Sequence, residues 1–408
     1  MSACVHGSFI DYYKMITSPL NPPSSCKMAK REGADKMREI FDYHFENIED
    51  ARCQCDIDYP LTDVLIQIMF AVMCGLDEPE KIVEFGKTRL EFLRKHFRIS
   101  KTPSESTISR ILNMTDAKQV GACIISIMRE LLGQKGDVIA IDGKTICSAE
   151  KYSKSKQAIH IITAYMTTNG VTLGQMTVPE KTNEIPVLRD LLEFIDIKGK
   201  TITADAMHCQ KDTADAIVNR GGDYILGVKS NQKNLHDDIS VFFEDGIKNN
   251  VGLFDFYRTA EQNGGRIEIR KCYVSTNISW LLERNEGWAS IQAIVAVVRE
   301  TTKNDKKTVE TSYYISSKTS DAKTLLQAIR DHWKIESLHW QLDVIFSEDD
   351  CAVVSENGQV TLNIFRKYAL AMHKHYIAST CKKVSMRKNM FRCLLNEAFL
   401  LEVLSCPL

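Results

Sequence analysis

No run of about 18 apolar residues occurs in this chain, so nothing in it reads as a membrane-spanning helix. The start, M-S-A-C-V-H-G-S, has no basic segment followed by an apolar stretch, and so does not read as a secretory signal. The 13 cysteines include no C-x-x-C pair. Cys53 and Cys55 are the closest two, and C-x-C without a second pair is a weak zinc pattern. An odd, scattered set reads as reduced, mostly buried thiols, and the expected location is the cytoplasm. There is no excess of either charge, with a net charge of -1, which argues against indiscriminate coating of nucleic acid but leaves room for local basic surfaces. H-E-x-x-H and G-x-x-x-x-G-K-[ST] are both absent, which excludes a zinc-protease helix and a nucleotide-phosphate loop. What is present is ordinary for a globular protein: 408 residues, 44% hydrophobic and 26% charged, enough for two or three domains.

Residues 1 to about 45 form a variable lead-in, with Pro19, Pro22, Pro23, Ser24 and Ser25 near a charged segment. Pro60 to Leu76 is a strongly apolar helix pattern stopped by Gly75. Further helices are expected around Glu80–Phe85 and Thr88–Phe97. Ser104 then stands where an N-cap belongs, ahead of a helix carrying Thr107, Ser109 and Arg110. Such a set is compatible with a helix-turn-helix DNA reader, and better still with a plain helical bundle that supports the next domain.

From Val138 the periodicity becomes extended. Val138–Ile141 is a β-branched run closed by Asp142, which either starts a turn or carries chemistry. Ala158–Thr167 and Val171–Val178 read as a hairpin about Asn169-Gly170. A helix at Glu184–Ile195, a strand at Thr201–Ala204 ending in Asp205, a helix at Lys211–Asn219 and a strand at Tyr224–Val228 complete a mixed sheet with helices on its faces. Between about Ser230 and Ser317 the chain reads as β-rich, with strands at Arg266–Ser275, Ala293–Thr301 and Thr308–Ser316. Helix returns after Asp321. Arg366, Lys367, Lys374, Lys382, Lys383, Arg387, Lys388 and Arg392 then follow with no acid between them, a run better explained by a nearby phosphate backbone than by a solvated face.

Three acids stand out: Asp142 and Asp205 at strand ends, and Glu336 on a later helix. Glu336, His339, Trp340 and Asp343 share one helix face, so the last three are candidates to orient the acids from behind. Hard carboxylate oxygens suit Mg2+ or Mn2+ rather than zinc. Two such ions about 4 Å apart can activate a nucleophile and stabilise a leaving oxygen at a phosphodiester. Water as nucleophile gives cleavage, and a DNA 3′-hydroxyl gives strand transfer. His208 and Cys209 read as packing and orientation groups rather than ligands.

I-D-G-K at 141–144, E-K-T-N-E-I-P at 180–186, D-A-M-H-C-Q at 205–210, V-K-S-N-Q at 228–232 and G-R-I-E-I-R at 265–270 occur in one order, followed by H-W-K-I-E-S-L-H-W-Q-L-D-V-I-F-S-E-D from His332. From about Tyr59 to Leu404 the chain resembles the DDE insertion-sequence transposases, in the H-repeat-associated subgroup linked to Rhs elements. The resemblance implies an α/β fold: a ribonuclease-H-like mixed sheet with a β-rich insertion, preceded by an all-helical N-terminal domain. The division it suggests is a lead-in at 1–45, a helical associated domain at 46–130, a catalytic domain at 131–230 and 318–408, and an insertion at 231–317. It implies Asp142, Asp205 and Glu336 as metal-holding catalytic acids, with two Mg2+ or Mn2+ ions. Lys144, Lys181, Asn183, Lys229, Asn231 and Gln232 occupy motif positions expected to touch DNA, with Lys382, Lys383 and Arg387 from the basic run beside them. Their alternative is a set of turn-forming surface polars. The implied partners are the terminal inverted repeats and target DNA, bound by a homodimer, and the protein would be nucleoid-associated when so bound. C-A-V-V-S-E-N-G-Q-V after Asp350 stands where the pattern has arginines, and nothing before Tyr59 matches it. A silent DNA-binding derivative, or a nuclease without strand transfer, is the competing function.

Overall fold

The computed structural model describes residues 33–53, 57–148, 158–179, 183–249, 254–381 and 384–407. Its N-terminal region is helical: α1 (Gly33–Phe45), α2 (Leu61–Met73), α3 (Pro79–Thr88), α4 (Leu90–Phe97), α5 (Glu105–Met114) and α6 (Ala117–Leu132). Strands and helices then mix: β1 (Val138–Ile146), β2 (Ile159–Met166), β3 (Val171–Val178), α7 (Glu184–Phe194), β4 (Thr201–Ala204), α8 (Lys211–Asn219), β5 (Asp223–Val228) and α9 (Lys233–Lys248). A meander follows, with β6 (Asp255–Asn263), β7 (Arg266–Ser275), α10 (Ser279–Arg284), β8 (Ala293–Lys303) and β9 (Lys306–Ser316). The chain closes with α11 (Ala322–His332), α12 (Lys334–Phe346), α13 (Glu356–Thr380), α14 (Met386–Leu395) and α15 (Glu397–Ser405). The strands lie in the order β3-β2-β1-β4-β5-β9-β8-β7-β6, a nine-stranded mixed sheet. No described helix is long and apolar enough to cross a membrane.

The chain divides into two compact units. The first comprises the described parts of Met1–Lys135, Gly143–Pro179 and Ser337–Leu408. Its helices are local consequences of sequence. α2 is apolar on every side and buried from Val64 to Met73, and its one internal amide, Gln67, donates to Ile82 O at 3.1 Å. Cys74 and then Gly75, at φ +84°, end it in the left-handed region that favours glycine. Ser104 caps α5, its Oγ accepting from Thr107 N at 3.3 Å, and Asp116 caps α6. α5 buries Ile108, Ile111 and Leu112 and packs with α3 and α13, a bundle arrangement that leaves Arg110 exposed. α13 is the axis of this unit, buried without a break from Gly358 to His373. The β2–β3 hairpin turns at Gly170, φ +74°.

The second unit comprises the described parts of Gly136–Asp142 and Glu180–Glu336. β1, β4 and β5 are parallel, β9 runs antiparallel to β5, and β8, β7 and β6 continue antiparallel outward. Cys272, Val274, Val295 and Val297 present one alternating face, on which Leu325, Leu326 and Ile329 of α11 pack. Three elements of the β-rich stretch lie outside the sequence expectation: α9, β6 and the short helix α10. α9 carries Leu235, Ile239 and Phe243 at four-residue spacing, a helical signal. β6 is the last strand of the sheet, and its largely polar sequence suits an exposed edge rather than a buried strand.

Candidate active site

The parallel pairing of β1 with β4 puts Ile141 opposite Ala204, so Asp142 and Asp205 each stand one residue beyond a paired position on neighbouring strands. The apolar run behind them, Ile139, Ala140, Ile141 and Ile202, is fully buried. Strand burial therefore carries the two acids to one level of the sheet, with Asp205 just past the end of β4 and Asp142 inside β1, which runs on to Ile146 where the sequence suggested that Asp142 closes it. Asp205 is open, its side chain 59% exposed, while Asp142 is half-buried. The chain turns sharply after Asp205, with His208 N donating to Asp205 O at 2.9 Å.

Glu336 lies in the first turn of α12 and is exposed. Partial desolvation, then the charge of Asp205, lifts its carboxyl above the usual range, with His332 opposing. Asp205 is held below its usual range, chiefly by the hydrogen bond from His332, with the charges of His332, Lys229 and His208 helping against desolvation. The two acids thus sense one another. That is the electrostatic condition of a site whose negative charge exceeds what its own cations offset. The donor chemistry fits Mg2+ or Mn2+, because every candidate ligand is a carboxylate oxygen. Among the described residues, no three His, Cys, Asp or Glu side chains already close around a common point.

A cleft of about 180 Å³ opens beside Asp205, lined by Lys229, His236, Tyr313, Tyr314, His332 and Trp333 among others. His332, near the end of α11, points its Nε2 at Asp205 Oδ1, 3.4 Å away. Its Nδ1 lies 3.1 Å from the Thr203 hydroxyl on β4. Neither residue was assigned a role from sequence. The available signal was the position of His332 one helical turn before Glu336, within the tryptophan-bearing motif.

The motif positions expected to touch DNA divide. Lys229 and Asn231 are exposed beside Asp205, and Asn231 Nδ2 donates to Ala206 O at 2.7 Å. Gln232 Nε2 donates to Cys209 O at 3.0 Å and Gln210 Oε1 at 3.1 Å, so both amides also fasten the loop after Asp205. Asn183 is exposed and caps α7, accepting from Ile185 N. Arg387 is exposed and donates to Val344 O. Lys181, Lys382 and Lys383 lie outside the described residues. His208 is buried, with Nε2 3.3 Å from Glu184, and burial pushes the neighbouring Cys209 thiol up to about 12.

Lys144 departs from expectation. It is 9% exposed and its Nζ sits 2.7 Å from Asp343 and 3.2 Å from Glu348, so it is a core cation rather than a surface one. Burial works against its charge, but Glu348 and Asp343 outweigh burial and raise its pKa. His339 and Asp343 belong to this same cluster in place of the expected role behind the acids. Burial, then Lys367 and Lys144, drives the His339 imidazole down to about 3, so it is neutral. Burial lifts the Asp343 carboxyl despite Lys144, with Asp349 and Glu348 adding to the rise. Trp340 is 61% exposed.

The basic run is corrected in the same way at its start. Arg366, 1% exposed, spans Asp77 at 2.7 Å and Glu348 at 3.0 Å. Burial opposes its charge, and these two carboxylates raise its pKa above the ordinary value. Glu348 is wholly buried, and Arg366, Lys144 and the Asn363 amide overcome desolvation to keep it ionised. Lys367 is buried between Thr163 Oγ and Gln175 Oε1, both at 2.8 Å, and Lys374 bonds the Tyr165 hydroxyl at 3.0 Å. Within a run free of acids in sequence, Arg366 is supplied with acids from elsewhere in the chain, and Lys367 and Lys374 with hydroxyl and amide partners.

The family described as "Transposase DDE domain" matches residues 133–372, and the "DDE_Tnp_1-associated" family matches residues 43–128. "H repeat-associated putative transposase YhhI" of Escherichia coli K12 is 33% identical over 371 residues, covering 89% of this chain and 97% of that protein. "Putative transposase YncI" of Escherichia coli O157:H7 is 34% identical over 377 residues, covering 90% and 95%. A piggyBac transposase synaptic complex with hairpin DNA aligns at TM-score 0.40 and 11% identity over 96% of this chain and 80% of that one, a likeness too distant to argue from. With the first family spanning more than half of the chain and relatives matched almost end to end, the chain belongs to the DDE transposase family.

Proposed function

We propose that this protein is a DNA transposase that cleaves and joins phosphodiester bonds at the ends of an insertion sequence, with Asp142, Asp205 and Glu336 as its catalytic acids. The observation that carries this is the β1–β4 register. It sets Asp142, inside β1, and Asp205, just past the end of β4, at neighbouring positions, and the charge of Asp205 lifts the carboxyl of the third acid, Glu336. The strand order β3-β2-β1-β4-β5, with its antiparallel hairpin and parallel pair, supports the ribonuclease-H-like reading of the core. We take 46–130 as the helical associated domain and 131–230 with 318–408 as the catalytic domain, interrupted by an insertion at 231–317.

The three carboxylates would hold two Mg2+ or Mn2+ ions. When bound, these ions supply charge that activates a water or 3′-hydroxyl and stabilises the departing oxygen. The protein's share is binding and orientation. Asp142 and Asp205 are fixed by buried strands, Glu336 by a helix start. Lys229, Asn231, Gln232, Asn183 and Arg387, with Lys181, Lys382 and Lys383, are proposed to meet the DNA backbone. Lys144 is reassigned to the core. A homodimer bridging two terminal repeats would present both ends for joining.

The test is incubation with a labelled duplex bearing the repeats that flank the gene, plus an acceptor plasmid and Mg2+ or Mn2+. Cleaved strands and a joined product are expected. Cleavage without joining leaves a nuclease, and tight binding with no cleavage in either metal overturns the enzymatic reading.

A further inference from the structure

Thr203, His332 and Asp205 form a line from inside the sheet to the open acid. Thr203 is 3% exposed on β4, two residues before Asp205, and its hydroxyl lies 3.1 Å from His332 Nδ1 and 3.5 Å from Ile139 O. A neutral ring that gives its N–H to the Asp205 carboxylate leaves Nδ1 as an acceptor, which turns the single hydroxyl hydrogen to Nδ1 and away from Ile139 O. With Nδ1 accepting, the ring proton must sit on Nε2, which then donates to Asp205 Oδ1, 3.4 Å away. The opposite assignment for a neutral ring would aim the Nε2 lone pair at a carboxylate. Only the Nε2–H form, or the doubly protonated ring, satisfies both neighbours.

We infer that His332 is a positioning residue for Asp205, set in its tautomer by the Thr203 hydroxyl, so that one carboxylate oxygen is held and the other is left for an incoming cation. This rests on the metal-holding role proposed above for Asp205. The arrangement is anchored at both ends by regular structure. Thr203 is in a paired strand, opposite Ala140 and Ile225, and His332 is in the last turn of a helix packed on the sheet. Groups that orient a metal-binding side chain from behind characteristically change metal affinity or activity by about 10- to 100-fold when removed.

The experiment compares wild type, Thr203→Val, Thr203→Ser and His332→Gln as full-length proteins. Three readings are taken: Mn2+ binding by calorimetry, duplex binding without metal, and the 15N shifts of the His332 imidazole. The wild-type ring is expected to show the Nε2-protonated pattern. Thr203→Val should lose that pattern and bind Mn2+ roughly tenfold more weakly, with duplex affinity unchanged. Thr203→Ser, which keeps the hydroxyl, should restore both, a rescue that a merely structural role for the methyl would not give. His332→Gln should weaken Mn2+ binding to a similar degree. Mn2+ binding in Thr203→Val and His332→Gln equal to wild type overturns the inference and leaves the acids' role standing. No Mn2+ binding by wild type overturns the role of the acids themselves, and an Nδ1-protonated wild-type ring overturns the tautomer argument independently of metal.

Discussion

Two groups of charges in this protein are built on opposite terms. Around Glu348, the cations Arg366 and Lys144 and the amide of Asn363 surround a carboxylate that no water reaches, and Asp77 and Asp343 complete the balance. Around Asp205 and Glu336 the acids are open, and one raises the pKa of the other. Buried charges persist only where they are paired and hydrogen-bonded, so the first group answers to folding. The second group keeps two open acids whose charges oppose one another, which accords with the cation-holding role proposed for them. The difference teaches where to look for function in a chain with so many acids and bases.

If the comparison is right, substitutions in the two groups fail in different assays. Asp142→Asn or Glu336→Gln should lower strand cleavage by roughly three orders of magnitude or more, leaving duplex binding and the unfolding midpoint near wild type. Loss of binding in step with cleavage would break the assignment. Arg366→Met should do the reverse. It strands Asp77 and Glu348 without their cation and should cost about 3–5 kcal/mol in urea unfolding, with activity falling only as folded protein is lost. A change below about 1 kcal/mol would show that the cluster is not held as described.

A smaller effect comes from Lys367, whose pKa burial lowers from 10.5 to about 7. Above the unfolded-state pKa the ammonium is neutral in both states and burial costs nothing on its account. As pH falls from about 10.5 to about 7 the unfolded chain takes up the proton first, so stability is lost across that window. Lys367→Met should flatten the unfolding free energy between those pH values, and an unchanged slope would return Lys367 to a charged, solvated role. The smallest effect belongs to the exposed end of the basic run. Arg387→Ala with Lys388→Ala should weaken duplex binding severalfold and reduce the log–log salt slope by up to about 2, whereas an unchanged slope would make these residues an ordinary solvated face.

Where sequence signals are local, expectation and structure agree closely. The hairpin about Gly170, the cap at Ser104, the strand Thr201–Ala204 and the helix Lys211–Asn219 each depend on residues within a few positions of one another. The placement of Asp205 just past its strand was legible for the same reason, whereas β1 runs on through Asp142 to Ile146 instead of ending there. Where the deciding partner is remote, the reading failed. Arg366 meets Asp77 across 289 positions, so a stretch that looks unopposed along the chain is neutralised in space. His332 and Thr203 are 129 positions apart, and no pattern in either segment announces their contact. Lys144 was misplaced because its motif position suggested an outward side chain, whereas Asp343 and Glu348, distant in sequence, draw it inward.

The measurement that bears most directly on this account is single-turnover cleavage of a labelled terminal-repeat duplex by Asp205→Asn beside wild type, in Mg2+ and in Mn2+, with urea unfolding of both proteins. The account predicts that cleavage vanishes in the variant while its unfolding midpoint stays within error of wild type. Cleavage by Asp205→Asn at a rate near wild type would contradict it.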